Sequence, residues 1–186
     1  MTTIIFDWDD TLCPSTYLMK KNYDYKTGTI DMSNQTLIEL TQFETVIIRL
    51  LLVAIYFGTV YIVTNADIIW VNSILTHIFP NLNKLMNIIP IISARNKYGY
   101  GNMETPNVKK LVFQDIVKQT PTKTLISFGD LDWERLAVLS FKGQLTTKSI
   151  KLVKEPQIQI LQNELLHILY NFKMLYNTDS DLDITF

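Results

Sequence analysis

Apolar residues along this chain follow two alternating spacings, which together predict the order of its secondary structure. Short runs of β-branched and aromatic residues, at positions 3 to 6 and 59 to 63, are typical of buried strands. Between them, apolar residues from Leu37 to Ala54 recur every three or four positions, which predicts a helix that ends at Gly58. Uniformly apolar strands separated by helices indicate a parallel sheet covered on both faces. The predicted class is therefore α/β, with a three-layer Rossmann-like architecture.

The same alternation continues towards the C-terminus and predicts a central sheet of five strands. The later elements are strands near 88 to 93, 124 to 128 and 149 to 153, and helices near 66 to 79, 107 to 118, 132 to 141 and 157 to 176. Pro90 has no N–H for a strand ladder, so we expect the third strand to lie at an edge of the sheet. One domain is expected to span residues 1 to 178, followed by a polar, solvated tail from 179 to 186.

Composition and charge narrow the class of protein. The 186 residues are 47% apolar and 19% charged, a balance typical of one globular domain and not of a disordered chain. With 17 basic and 18 acidic residues, and no block of Lys and Arg, the chain lacks the positive surface that nucleic acid or anionic lipid requires. The lone Cys13 and the lack of a basic-then-apolar leader pattern predict a reducing, cytoplasmic setting.

One apolar stretch, residues 47 to 63, is long enough to be considered as a membrane span. Its sequence, IIRLLLVAIYFGTVYIV, also fits the end of the first long helix followed by Gly58 and the second strand. The helical spacing upstream favours this second interpretation, and we expect no membrane partner.

Polar side chains follow three of the predicted strands at their carboxyl ends. They are Asp7, Asp9, Asp10 and Thr11 after the first strand, Thr64 and Asn65 after the second, and Asp130 after the fourth. In open parallel sheets, ligands bind beyond the carboxyl ends of the strands, so we expect these groups to meet at one rim. Each residue type alone also serves well as a helix cap or in a turn. It is their combination that indicates a site.

The string IIFDWDDTL resembles the first motif of the haloacid dehalogenase superfamily, an apolar strand followed by Asp-x-Asp-x-Thr, here residues 7 to 11. YIVTN resembles the second motif, with Thr64 at the tip of an apolar strand. ISFGDLDWE resembles the fourth motif, with Asp130 after a glycine and another acid a few residues later. The resemblance extends over residues 4 to about 134.

The third motif of that superfamily is a lysine, for which the chain offers three candidates. Lys109 is preferred, because Thr105 as N-cap and Pro106 at the first helical position would place it in the opening turn of a helix aimed at the rim. Lys97 is the runner-up, and Lys110 also stays open.

The resemblance implies a phosphomonoester hydrolase that works through a covalent aspartyl-phosphate. In such enzymes the first aspartate, here Asp7, attacks phosphorus, and the second, here Asp9, protonates the leaving alkoxide and later activates water. Dehalogenation requires no such acid, so the presence of Asp9 favours phosphoryl transfer. Thr64, Asn65 and Lys109 would hold the remaining phosphoryl oxygens, over which charge is spread in the transition state.

A cation is expected at this site. A phosphate dianion beside two carboxylates is repelled, since unit charges about 4 Å apart interact by about 4 kcal/mol at an intermediate dielectric. A divalent cation removes the repulsion, and an all-oxygen site suits Mg²⁺. By resemblance, its ligands are the carboxylates of Asp7 and Asp130 with the backbone carbonyl of Asp9. Glu134, or less favourably Asp132, would support the bound waters.

Both histidines of the chain, His77 and His167, fall on apolar stretches of predicted helices. We expect them to pack against neighbouring residues and not to bind metal. The expected ligands are therefore all oxygen atoms.

Members of this superfamily select substrates largely through cap insertions, and the chain has little room for one. One helix, a connection and the third strand fill the gap between the second and third motifs. Residues 13 to 35 are polar and tyrosine-rich and are expected to form a loop or small flap, with Tyr17, Tyr23 and Tyr25 near the entrance. An open site of this kind suits a phosphorylated small molecule or, slightly less well, a phosphoprotein.

Two other classes of protein stay open. A binding or regulatory module, such as a receiver domain, also gathers acids and magnesium at strand ends without turnover, but it carries its phospho-acceptor on the third strand. An interaction protein could use the last helix, whose apolar residues from Ile158 to Leu175 repeat every three or four positions. That stripe covers under three heptads, so packing onto the sheet is favoured over a coiled coil.

Overall fold

The computed structural model describes residues 1–99 and 107–186, apart from the side chain of Asn107. The described residues form six strands, which are β1 (Thr2–Phe6), β2 (Thr59–Thr64), β3 (Ile91–Ser93), β4 (Thr124–Gly129), β5 (Thr146–Lys151) and β6 (Leu182–Thr185). All six belong to one parallel sheet, in the order β3-β2-β1-β4-β5-β6. The predicted Rossmann-like α/β class is confirmed, but the sheet has one strand more than the five predicted.

Eight helices are present in the described part of the chain. They are α1 (Ser15–Lys20), α2 (Asn34–Phe57), α3 (Ile68–His77), α4 (Pro80–Leu85), α5 (Ala94–Tyr98), α6 (Asn107–Gln119), α7 (Asp132–Leu139) and α8 (Ile158–Asn177). The sequence pattern does not predict α1, α4 or α5, each of which has six residues or fewer. Helices this short contain too few apolar repeats for spacing alone to reveal them.

The sheet separates two apolar cores, and successive residues of β1 face them in turn. Ile4 and Phe6 are buried in the larger core with residues of α2, α3 and α8, whereas Ile5 is buried in the smaller core with residues of α6 and α7. This alternation follows from the period of two along a strand. Because helices cover both faces of the sheet, its central strands β1 and β4 are buried along almost their whole length.

Helix α2 is long and apolar because it packs against the sheet and α8. The side chain of Ser33 caps its start by accepting the N–H of Thr36, and the helix ends before Gly58, as predicted. The apolar stretch from 47 to 63 is divided between α2 and β2. Among the described residues, α2 is the one helix long and apolar enough to cross a membrane, and 44% of its most apolar window is buried inside the protein. Here it serves as a core helix of the domain.

The apolar stripe of α8 is buried within the domain. Its six members lie in the larger core and are Ile158, Leu161, Leu165, Ile168, Phe172 and Leu175. The ring of Phe172 stacks 6.0 Å from that of Phe128 in β4. The stripe therefore covers the sheet, which is the alternative that the sequence favours over a coiled coil.

Strand β3 lies at an edge of the sheet, as Pro90 predicts. It follows Pro90 directly and pairs with β2, the next strand inward. The carbonyl of Pro90 accepts the N–H of Ile62 over 2.9 Å. Because β3 is an edge strand, the missing N–H of the proline interrupts no central ladder.

The C-terminal residues are mostly exposed, as expected of a solvated tail, but they form strand β6, which the sequence does not predict. β6 pairs in parallel with β5, and two carboxylates fasten it. Asp181 accepts the backbone N–H of Thr147 over 2.7 Å. Asp183 accepts two N–H groups of Arg135, over 2.8 and 2.6 Å. The segment is short and acidic with only two apolar residues in the strand, so its spacing gives no clear strand signal.

Candidate active site

Strand register places Asp7 at the centre of the carboxyl edge of the sheet. Phe6, the last residue of β1, pairs with Ile62 of β2 and with Phe128 of β4. Its ring stacks on that of Phe128 at 4.6 Å. The backbone N–H of Asp7 donates to the carbonyl of Phe128 over 2.9 Å. Asp7 therefore lies beside the end of β4, where the chain continues into Asp130.

Three buried carboxylates converge at this edge. One oxygen each of Asp7, Asp130 and Glu134 lie within 4.8 Å of one another. Lys109, also buried, joins them from the first turn of α6, with Nζ 2.5 Å from Asp7 Oδ1 and hydrogen-bonded to Glu134 Oε1. The structure thus brings together residues that lie up to 127 positions apart in the sequence, from Asp7 to Glu134.

Gly129 makes room for Glu134 in this cluster. A Cβ atom at position 129 would lie 2.4 Å from Cγ of Glu134, far inside van der Waals contact. Glu134 stands in the first turn of α7, and its Oε2 accepts the backbone N–H of Leu131 over 3.2 Å. Because Gly129 has no side chain, the Glu134 side chain of α7 can lie against the end of β4.

The acidic groups of the cluster outnumber its one basic group, because three carboxylates surround the single ammonium of Lys109. Burial raises the pKa of Asp7 well above its ordinary value, and the carboxylates of Glu134 and Asp130 raise it further against the opposing effect of Lys109. Burial and Glu134 raise the pKa of Asp130 to about 7. Burial alone would lower the pKa of Lys109, but Asp7 and Glu134 raise it above its ordinary value. The three carboxylates form an all-oxygen donor set that could hold a divalent metal ion.

Asp9 and Asp10, the other two acids that follow β1, have different partners. Asp9 Oδ1 accepts hydrogen bonds from Ser15 Oγ over 2.5 Å and from the indole nitrogen of Trp70 over 3.0 Å. Asp10 has φ of 46° and accepts the backbone N–H and the hydroxyl of Thr16, over 2.9 and 2.6 Å. Aspartate tolerates this left-handed backbone better than most residues. Asp10 therefore stabilises the loop that follows β1.

A cleft with a volume of about 1010 Å³ opens over the cluster. Asp7, Asp9, Asp130 and Lys109 all line it. Aromatic side chains form much of the remaining wall, and they are Tyr23, Tyr25, Trp70 and Trp133. Basic side chains also line the cleft, and they are Lys20, Arg95 and Lys154.

The predicted phosphate-binding residues take different positions relative to the cleft. Asn65 lines it. Thr64 is fully buried at the end of β2, where its hydroxyl accepts the N–H of Ala66 over 2.9 Å. Lys109 lies at the cluster, and its predicted helix caps, Thr105 and Pro106, fall outside the described residues.

The alternative residues lie elsewhere. Lys97 pairs with Asp115 at 2.5 Å on the protein surface, and Lys110 follows Lys109 on α6 in a half-buried position. Asp132 is exposed, with Oδ1 3.8 Å from Nζ of Lys151. Among these lysines and acids, the structure brings Lys109 and Glu134 to the buried cluster.

The segment predicted as a flap forms α1 and a loop that packs on α3. Ser73 of α3 donates to the carbonyl of Tyr25 over 2.6 Å and accepts from the hydroxyl of Tyr23 over 2.7 Å. Gly28, with φ of 74°, lies against the ring of His77 so closely that a Cβ atom there would be 2.5 Å from the ring. Tyr17 was predicted to lie near the entrance of the site, but its hydroxyl forms a hydrogen bond with Glu39 of α2.

The two histidines are both exposed, so the prediction of packing holds only for one side of each ring. His77 contacts the loop glycine described above. The ring of His167 meets that of Phe186 edge-on, with centroids 5.6 Å apart.

Sequence reasoning missed Trp70 and Ser15 as partners of Asp9. Trp70 lies in the first turn of α3, directly beyond the second motif, and Ser15 begins α1 directly beyond the first. Helix starts that follow the carboxyl ends of parallel strands face the ligand rim. The position of Trp70 and Ser15 at helix starts was the signal available in the sequence. It does not show which atoms form hydrogen bonds.

Comparisons of this chain with protein-family models, with curated proteins and with solved structures give no match. Its function is therefore inferred from its own residues and their arrangement.

Proposed function

We propose that this protein is a magnesium-dependent phosphomonoester hydrolase of the haloacid dehalogenase type, acting through an aspartyl-phosphate on Asp7. The observation that carries the proposal is the convergence of Asp7, Asp130, Glu134 and Lys109 at the carboxyl edge of a parallel sheet. Acids from two strand ends with a buried ammonium are the groups that phosphoryl transfer requires. The motif resemblance of the sequence supports the same class.

Asp7 and Asp9 would divide the chemistry between them. An Asp7 carboxylate oxygen bonds to phosphorus as the bond from phosphorus to the leaving oxygen breaks, and Asp9 gives its proton to that oxygen. Water then attacks the phosphorus of the aspartyl-phosphate, passing a proton to Asp9 and releasing Asp7 and inorganic phosphate. Hydrogen bonds from Ser15 and Trp70 support this role, because they hold the Asp9 side chain at the cleft.

The buried carboxylates fit a hard divalent cation. Asp7 and Asp130, with the backbone carbonyl of Asp9, would hold Mg²⁺, and Glu134 would orient its waters or bind it directly. Bound Mg²⁺ would supply positive charge against the phosphoryl oxygens. Lys109 adds a second cation to the same place, and Asn65 offers an amide donor from the cleft wall. Thr64 would contribute only after its hydroxyl turns from Ala66.

The substrate is proposed to be a phosphorylated small molecule, with a phosphoprotein as the second choice. The cleft volume of about 1010 Å³ is at the upper end for small-molecule sites, which accommodates either. A cytoplasmic location is proposed from the single thiol of the chain, Cys13, which is buried and reduced.

Hydrolysis of p-nitrophenyl phosphate by the purified protein in Mg²⁺ tests the proposal. Asp7→Asn should lower kcat at least about a thousandfold, because it removes the nucleophile. Asp132→Asn is the matched control, since this exposed acid lies outside the cluster and its replacement should leave kcat unchanged. Chelation of the metal should stop wild-type turnover.

Two results would contradict the proposal. Full turnover by Asp7→Asn would exclude the aspartyl-phosphate. Calorimetric Mg²⁺ binding without hydrolysis of any member of a panel of phosphorylated metabolites and phosphopeptides would favour the binding or regulatory module instead.

A further inference from the structure

We propose that the natural substrate is a small phosphomonoester whose leaving group carries an aromatic ring, bound against Trp70 and Tyr25. This inference rests on the proposed function and specifies its substrate class. It follows from the position of Asp9 relative to the aromatic wall of the cleft, formed by Tyr23, Tyr25 and Trp70.

Asp9 fixes where the leaving group must lie. As the proton donor, Asp9 has to reach the oxygen that leaves phosphorus, within ordinary hydrogen-bond distance. The same carboxylate accepts the indole N–H of Trp70 over 3.0 Å. The first atoms beyond the leaving oxygen therefore lie next to the indole of Trp70.

The cleft wall next to this leaving-group position is aromatic. The ring of Tyr23 meets that of Trp70 edge-on with centroids 5.7 Å apart, and the ring of Tyr25 does so at 6.0 Å. Tyr23 is nearly buried, whereas Tyr25 is 42% exposed and Trp70 is half-buried, so these two offer ring surface to the cleft. Aromatic rings bind another ring more strongly than an aliphatic group of equal area, because their edges and faces carry opposite partial charges.

This wall is also held in place before any ligand binds. Ser73 ties the backbone of Tyr25 and the hydroxyl of Tyr23 to α3. The loop glycine Gly28 packs directly on His77 at the other end of α3. A preformed wall loses little conformational entropy on binding, so its contacts appear as affinity and selectivity.

A pair of esters with equivalent leaving alcohols tests the inference. We compare 2-phenylethyl phosphate with 2-cyclohexylethyl phosphate, which differ in the ring and not in the chemistry of the cleaved bond. Wild-type kcat/KM should be roughly three- to tenfold higher for the phenyl ester. This factor corresponds to the additional free energy of contact between one pair of aromatic rings. The cyclohexyl ester is the more apolar of the two, so simple hydrophobicity predicts the opposite order.

Three variants locate the preference. Tyr25→Leu should reduce the ratio of the two kcat/KM values to about one, and Tyr25→Phe should keep it. Tyr170→Leu, which removes a 71% exposed ring from α8, is the control and should also keep the wild-type ratio. Equal values for the two esters in the wild type, or an unchanged ratio in Tyr25→Leu, would overturn the inference.

A binding measurement separates this inference from the proposed function. Calorimetry with 3-phenylpropylphosphonate and 3-cyclohexylpropylphosphonate requires no turnover. If neither p-nitrophenyl phosphate nor the phosphorylated panel is hydrolysed, the proposed function fails, whereas the phosphonates still decide whether the cleft has an aromatic subsite. Tighter binding of the phenyl compound, lost in Tyr25→Leu, supports the aromatic subsite, and equal affinities exclude it.

Discussion

The indole nitrogen of Trp70 donates a hydrogen bond to Asp9 Oδ1 over 3.0 Å, which joins α3 to the second acid after β1. The two residues are 61 positions apart. If Asp9 transfers the proton, this bond positions the carboxyl group, and its loss should affect the chemical step more than substrate binding.

We therefore expect Trp70→Phe to lower kcat about tenfold and to change KM by less than about twofold. The tenfold loss corresponds to the free energy of one hydrogen bond to a charged group. Steady-state kinetics with a phosphomonoester measure both values. Trp133→Phe removes an indole N–H elsewhere in the same cleft and should leave kcat near the wild-type value. A rise in KM at constant kcat for Trp70→Phe would show that the indole contacts substrate without orienting Asp9.

Gly129→Ala should weaken metal binding by displacing Glu134. The new methyl group would overlap Cγ of Glu134, which must then turn away from Asp7 and Asp130. We expect the Mg²⁺ concentration for half-maximal activity to rise roughly tenfold, as for the loss of a group that orients metal ligands.

Titration of activity with Mg²⁺, together with thermal unfolding, provides the measurement for Gly129→Ala. Ser127→Ala on the same strand is the control, because it removes a buried hydroxyl that has no hydrogen-bond partner among the described residues. An unchanged Mg²⁺ requirement in a folded Gly129→Ala protein would remove Glu134 from the metal site.

Lys148→Met should destabilise the fold without touching the cleft. Nζ of this fully buried lysine donates to the carbonyls of Leu175 and Tyr176, over 2.6 and 3.0 Å, at the end of α8. Burial lowers the pKa of Lys148, but its ammonium satisfies carbonyls that the helix itself leaves open. We expect the free energy of unfolding to fall by roughly 2 to 3 kcal/mol.

Denaturant unfolding measures this change. Lys151→Met on the same strand is the control, because its ammonium is partly exposed and lies 3.8 Å from Asp132, and the expected loss is below about 1 kcal/mol. Equal losses in the two variants would mean that the carbonyl contacts of Lys148 contribute nothing specific.

Strand β6 should loosen at acid pH. The backbone N–H of Thr147 lowers the pKa of Asp181, and the hydrogen bonds from Arg135 lower that of Asp183. A carboxylate with a lowered pKa in the folded state stabilises that state above the ordinary carboxyl pKa of about 4, and this stabilisation is lost as the pH falls through the lowered value.

NMR of the C-terminal amides between pH 7 and 2 follows this loosening; Phe186, whose N–H donates to Lys151, reports on it directly. Asp183→Asn should shift the onset to higher pH, whereas Asp179→Asn leaves both fastening carboxylates in place and should not. Amide signals that stay native down to pH 2 would show that apolar packing alone holds β6.

The sequence alone predicts the local parts of this protein well. The spacing of apolar residues predicts five strands, five of the eight described helices and the edge position of β3, because residue spacing and Pro90 act within a few positions of the chain. The same local pattern indicates that Asp7 and Asp130 each follow the carboxyl end of a strand. What it misses is short or weakly apolar, namely α1, α4, α5 and β6.

Tertiary structure alone decides which side chains meet. Register between β1 and β4 sets Asp7 beside Asp130, the absence of a side chain at Gly129 admits Glu134, and packing of α3 brings Trp70 to Asp9. It also selects Lys109 over Lys97 for the buried cluster. Contacts between residues far apart in sequence depend on packing across the whole domain. The spacing of residues along the chain shows only which face of a helix or strand each residue occupies.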